Sequence, residues 1–264
     1  MNTATLRQNA RAVLAVAEMS FRQNVMDLFI IFTVLIQPLL VALLALWMLA
    51  DKGPDYIIFV VVGSGMTGLW SGLLFICGNS INAERWSGTL ETMVGVPTPL
   101  ALIVIGKNLA NVGQSLVSMA SSYLLAVLIF GYDVHIAMPL HFIVSLALTV
   151  VAFISFGMII APVFVMNPGV QQFQNAMEFP VFILSGFLFP IALLPGWSTP
   201  LSYLLPTYWA AQAMHLSSSG GAAGEIFFAW GMMLAFSLVY LFIASILFRV
   251  MLVKARTDAT LDME

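Results

Sequence analysis

The sequence predicts an all-α integral membrane protein with six transmembrane helices, and three observations lead to it. Of its 264 residues, 61% are hydrophobic and 8% charged, whereas a soluble domain is about half apolar and roughly a quarter charged. That leaves too little polar surface to cover a water-soluble globule. The apolar residues fall into runs long enough to cross hydrocarbon as helices, which takes about 20 residues each. Those runs are continuously apolar and do not alternate, as the strands of a membrane barrel would.

Taken in order, the chain opens on an amphipathic stretch at 5–25. At about 100° per residue, Arg7, Arg11, Glu18 and Arg22 share one narrow stripe, with Leu6, Ala10, Val13, Ala17 and Phe21 beside it. The stretch is too polar to span. It suits a helix lying in the headgroup plane, where basic residues meet anionic lipid, or else a plain cytoplasmic lead-in. No signal-peptide pattern precedes it. The six spans are expected at about 28–50, 57–80, 100–130, 139–165, 172–193 and 226–250. Polar turns separate several of them: Asp51–Asp55, Gly131-Tyr132-Asp133 and Asn167-Pro168-Gly169. The third run is long enough to tilt or to extend beyond the bilayer.

Charge placement sets the orientation. Arg7, Arg11 and Arg22 precede the first span, Arg85 and Lys107 lie between the second and third, and Arg249, Lys254 and Arg256 end the last. With six spans all eight fall on one side, leaving Lys52 alone on the other. Both termini, the 82–99 loop and the 251–264 tail are therefore expected in the cytoplasm. An odd number of spans would break that partition.

The segment 186–221 is apolar yet carries Pro190, Pro195, Pro200 and Pro206 after Gly186. Proline removes a backbone donor and breaks a helix interior, so no straight span runs through it. Short outer re-entrant helices are expected, since broken backbone survives at membrane depth only when buried in protein or lining a cavity. A surface loop anchored by Trp197, Tyr203, Tyr208 and Trp209 is the alternative.

Several chemistries are excluded. Gly106-Lys107 is followed by Asn108 and lacks both the upstream glycine and the hydroxyl of a phosphate-binding loop. His135, His141 and His215 have no metal-ligand spacing, and the single Cys77 permits no internal disulfide. Nine basic residues make no nucleic-acid footprint. Catalytic and metal residues are thus not expected.

One acid stands out. Glu178 follows Gln171, Gln172, Gln174 and Asn175 at the inner end of the fifth span. Ionisable groups in a bilayer are costly and usually face a cavity or a partner. Glu178 and its amides either line a pathway or gate, or the carboxylate sits at headgroup level paired with an arginine of the N-terminal helix. Asn108, Asn111, Gln114, Ser115 and Ser118 make one side of the third span polar. They line a path or hydrogen-bond between helices.

Between the second and third spans the chain reads Glu84-Arg85, then Gly88-Thr89-Leu90-Glu91, then Pro97 and Gly106-Lys107. Further on come Leu184-Ser185-Gly186-Phe187, Phe189-Pro190, Leu194-Pro195 and Pro206-Thr207. This order resembles the permease subunits of ABC-2-type ATP-binding-cassette transporters over nearly the whole chain, as a single transmembrane domain across 1–264. Trp86 stands where such proteins often carry an acid, a departure that bears on partner choice.

The resemblance implies two permease chains, most simply a homodimer, working with two separate ATPase subunits that carry ATP and Mg. No cofactor is expected in this chain. A coupling helix at 84–95 would sit in a cleft of the ATPase through Glu84, Arg85, Gly88, Thr89, Leu90 and Glu91, and the N-terminal helix would transmit its movement. The first and fifth spans would face the twin chain. Export of a drug, lipid, lipid-linked glycan or other hydrophobic small molecule across the cytoplasmic membrane is the activity the resemblance implies. An ion-coupled transporter would instead use Glu178, but such proteins usually show paired broken helices, and one broken segment is present. A lipid-modifying enzyme would need converging catalytic groups, and a non-transporting anchor would not need polar faces within its spans.

Overall fold

The computed structural model describes residues 3–48, 54–78, 81, 88, 99–131, 135–167, 174–188 and 190–257, and all of their regular structure is helical. In chain order the helices are α1 (Thr3–Asn24), α2 (Leu28–Met48), α3 (Pro54–Gly72), α4 (Leu100–Leu128), α5 (Pro139–Met166), α6 (Gln174–Ser185), α7 (Thr199–Tyr203), α8 (Pro206–Ser219) and α9 (Ala223–Thr257). The all-α membrane fold expected from composition is the fold observed. Local chemistry fixes several starts. Asp27 caps α2 by accepting from the amides of Phe29 (2.9 Å) and Ile30 (3.3 Å). Pro139 and Pro206 open α5 and α8, where a missing N–H costs nothing.

Among the described residues, five helices are long and apolar enough to cross a membrane: α2, α3, α4, α5 and α9. Of the fifth predicted run, 172–193, the described residues form a helix shorter than expected. Its helix α6 has 12 residues, about 18 Å at 1.5 Å per residue, against a hydrocarbon core of about 30 Å. Gly186 ends it in the left-handed region at φ +68. The Phe187 amide bonds back to the Phe182 carbonyl, and the two rings meet at 5.9 Å. This is the six-to-one closure that stops a helix, with its accompanying apolar contact. A count of six crossings therefore rests on joining α6 to the broken segment after Gly186. At the other end of the chain α9 continues to Thr257, beyond the expected span limit of 250.

The broken segment after Gly186 forms a 3-10 turn (Ile191–Leu193), α7 and α8. Pro190 precedes the first, Pro200 lies in the first turn of α7 and Pro206 opens α8. Pro195 supplies the carbonyl that Ser198 binds through both its amide and its hydroxyl. α8 is largely buried against α3, α5 and α9. The amides of Ala137 and Met138 donate to the carbonyls of Ser218 and Ser217, tying the start of α5 to the end of α8.

α3 is the centre of the bundle: 94% of its apolar window is buried, against 22% for α2 and α9. Its glycines let each neighbour approach a different side. A Cβ on Gly63 would meet the Phe187 carbonyl, on Gly65 the side chain of Met119, on Gly68 Pro38 and on Gly72 Asn111. Small residues replace the hydrophobic drive that lipid cannot supply between helices. A second apolar cluster joins Leu100, Ile103 and Val104 of α4 to Met158 and Ala161 of α5 and Phe248 and Met251 of α9. The start of α4 and the end of α9 thus share one end of the bundle.

Candidate functional site

The carboxyl of Glu178 is 4% exposed, and it lies where α2, α3 and α6 meet. Ser71 Oγ donates to its Oε1, and Gln37 Nε2 reaches the same oxygen at 3.2 Å. One turn earlier Gln174 Nε2 donates to the Leu74 carbonyl at 2.7 Å. Positions 174 and 178 share a helix face, so α6 is fastened to α3 at two successive levels. The partners of Glu178 are therefore polar groups of the first two spans. Pairing with an arginine of α1 is not what the structure contains: Arg22 instead binds Glu18 at 2.7 Å, on an exposed surface.

Each donor to Glu178 stands beside a widened helical turn. The π turn Phe32–Ile36 ends directly before Gln37, and the π turn Leu73–Cys77 starts two residues after Ser71. Such turns occur mostly as single bulges and often at functional positions. Gln37 and Ser71 are functional candidates that sequence reasoning missed. A glutamine inside a run as apolar as 28–48 was an available signal; a serine among small residues was not.

The other candidates divide. Asn111 packs against Gly72, with its Oδ1 buried and unpartnered. Gln114 accepts from Asn24 Nδ2 at 2.9 Å. Asn108 bonds to the Val104 carbonyl of its own helix and lies against Gly157. Ser115 bonds back to the Asn111 carbonyl. Within one protomer, then, the polar side of α4 is occupied by helix contacts. Asn175 belongs to α6, but its side chain and the whole of Gln171 lie outside the described residues.

α1 runs beside α4 in the same direction. Val13 and Val16 lie against Gly106, Phe21 against Gly113, and Asn24 bonds to Gln114. Ser20 and Asn24 are buried, while Arg7, Arg11 and Arg22 are exposed. The buried face of α1 is thus a seat on α4, rotated from the purely apolar stripe expected. Gln114→Leu will leave Asn24 Nδ2 without its acceptor and lower stability by about 1 kcal/mol. Thermal unfolding in detergent checks this; an unchanged midpoint would mean that apolar contacts alone hold α1.

Of the coupling candidates, Glu84, Arg85, Thr89, Leu90 and Glu91 lie outside the described residues. Gly88 is exposed with φ +69, a conformation that favours glycine. Gly186, Pro190, Pro195 and Pro206 stand at the breaks described above. The histidines are dispersed: His141 packs against Phe227 and Trp230, and His215 stacks on Phe59 at 3.6 Å.

Comparison with known proteins adds two findings. The model of a family described as ABC-2 type transporter matches residues 11–217. ABC transporter G family member 20 of Dictyostelium discoideum is 28% identical over 166 residues, which covers 61% of this chain and 22% of that relative. The chain therefore spans only about a fifth of the length of the curated relative it matches.

Proposed function

Because this chain belongs to the ABC-2 type transporter family, we propose that it is the permease subunit of an ATP-driven exporter and forms half of a translocation pathway. The match over 11–217 is the observation that carries this reading. It includes most of α1, α2 to α7, most of α8 and the 82–99 loop. ATP hydrolysis is assigned to a partner ATPase, present in two copies and holding ATP and Mg. The cargo is a hydrophobic small molecule, a drug, a lipid or a lipid-linked glycan.

A second copy of the permease would pack against α2 and α6. Exposed apolar side chains on these helices support that placement: Phe32, Ile36, Leu40 and Trp47 on α2, and Phe179 and Ile183 on α6. The pathway would then run between the copies, past Glu178. Six crossings are kept if α6 and the segment up to α8 together make one, with α7 and α8 as re-entrant helices. Both termini and the 82–99 loop would then face the cytoplasm. In this arrangement Glu84, Arg85 and Glu91 make charge-assisted contacts with the ATPase, and α1 carries the movement to α4 through its seat on Gly106 and Gly113.

The test is affinity purification from the native membrane, comparing wild type with Glu84→Ala/Arg85→Ala. An ATPase subunit is expected to accompany the wild type. In the variant, co-purification or cargo-stimulated ATP turnover should fall about tenfold, the loss of one or two charge-assisted contacts. If no ATPase accompanies the wild type under gentle extraction, the reading fails, and an ion-coupled transporter using Glu178 replaces it.

A further inference from the structure

At the opposite end of the bundle from α1, a cleft of about 580 Å³ opens between α7, α8 and the first turns of α9. Its position is set by the topology: the end of α9 packs beside the start of α4, so the start of α9 lies at the far end. Four aromatic rings wall it. Tyr203 and Tyr208 meet at 5.2 Å and 71°, Tyr208 and Trp209 at 5.0 Å and 70°, and Trp209 and Phe228 at 5.5 Å and 75°. Tyr203 and Trp209 stack at 5.7 Å and 26°, and the near-perpendicular pairs around them build corners, so the rings line the cleft at differing orientations. Trp209 is held in place by its Nε1–H, which donates to the Tyr203 carbonyl at 2.9 Å.

Among the described residues, the charged side chain that lines this cleft is acidic. Glu225 lines it from the first turn of α9. Gln212 lines it too, with a buried Oε1 that has no hydrogen-bond partner. Among the described residues, no lysine or arginine lines it. The positive end of α9 offsets about half a charge of Glu225, which leaves the cleft net negative. Aromatic faces carry negative charge density and attract cations, most strongly where water is excluded. An interfacial aromatic belt alone needs neither an acid nor an unpaired carbonyl among its rings.

We propose that this cleft binds an organic ammonium cation of the quaternary, choline-like class, with Tyr203, Tyr208, Trp209 and Phe228 as walls and Glu225 as counter-charge. A quaternary head has no N–H to satisfy, so ring faces and one carboxylate suffice. Two sources share this chemistry: a choline-type lipid headgroup and a soluble organic cation. The cleft is lined from α7, α8 and α9 and by no residue of α2 or α6, and the proposal does not depend on the transport reading.

The test is equilibrium binding of radiolabelled choline to the full chain in nanodiscs of phosphatidylglycerol. Saturable binding is expected, displaced by tetramethylammonium and not by 3,3-dimethyl-1-butanol, the neutral carbon isostere of choline. Glu225→Gln and Tyr203→Ala, both at exposed positions, should each weaken binding roughly fivefold to tenfold without changing thermal stability. Phosphatidylcholine in the disc separates the sources: competition assigns the site to a lipid headgroup, and no competition assigns it to a soluble cation. Three results would overturn the proposal: no saturable binding, equal displacement by 3,3-dimethyl-1-butanol or a neutral methyl glucoside, or undiminished binding in Glu225→Gln.

Discussion

Gly63→Ala will destabilise the bundle by about 3 kcal/mol or more, at the upper end of what overpacking costs. A Cβ at this position would stand 1.9 Å from the Phe187 carbonyl oxygen and 2.7 Å from its carbon. That oxygen belongs to backbone, directly after the turn at Gly186 that stops α6, so it cannot rotate aside. Either α3 or the whole 185–188 turn must move. Gly72 provides the internal comparison. A Cβ there would meet the Asn111 amide at 1.7 Å, a closer contact but with a side chain that can swing. Gly72→Ala should therefore cost about half as much, although both positions lie in the same helix. Thermal unfolding of the two variants in one detergent reads the difference. Equal midpoints for Gly63→Ala and wild type would refute the close approach of α3 to Phe187.

Glu178→Ala will cost about 2–4 kcal/mol and reduce transport at least about tenfold. Removing the carboxyl strands the Ser71 hydroxyl and the Gln37 amide, which share its Oε1. An unsatisfied buried polar group costs about 1–3 kcal/mol, and the missing side chain adds a small cavity. Stability and function are then separable. Replacing the whole cluster, as Glu178→Leu with Ser71→Ala and Gln37→Leu, removes every stranded group at similar volume. It should return unfolding close to wild type, because apolar replacements of a complete polar cluster are often neutral. Cargo transport in reconstituted complexes should stay low in that triple variant. If transport recovers along with stability, Glu178 is a packing device and has no part in the pathway.

Much of the fold was legible because hydrocarbon allows few solutions. Continuous apolar runs can only be helices there, and among the described residues five of the six runs form helices of crossing length. The sixth shows where composition stops being informative. Residues 186–193 read Gly-Phe-Leu-Phe-Pro-Ile-Ala-Leu and continue the apolar run, yet α6 ends at Ser185 because Gly186 takes a left-handed conformation and Phe187 closes back on Phe182. Hydropathy averages over residues, whereas helix termination is decided by one backbone dihedral.

The candidate site was half legible. An acid amid apolar residues marks itself, so Glu178 was visible, but its partners come from positions 107 and 141 residues away. No local pattern holds that information. Asn111 read as a polar stripe because periodicity reports which residues share a face and not what covers it. The answer, Gly72, is an absence of side chain on another helix. The Glu18–Arg22 pair was readable from its spacing of four, and it occupies one of the three arginines of α1 that the sequence offered to Glu178.

The widened turns of α2 and α3 bear on how this chain tolerates changes of length. Losing one residue from an ordinary helix turns everything beyond it by about 100°, which would aim Gln37 or Ser71 away from the junction. A π turn already holds one residue more than the α-helical path requires. Within Phe32–Ile36 or Leu73–Cys77, a deletion removes the surplus and leaves the flanking faces where they were. These two short stretches therefore act as slack in the chain, places where the gene can shorten a span without re-aiming it.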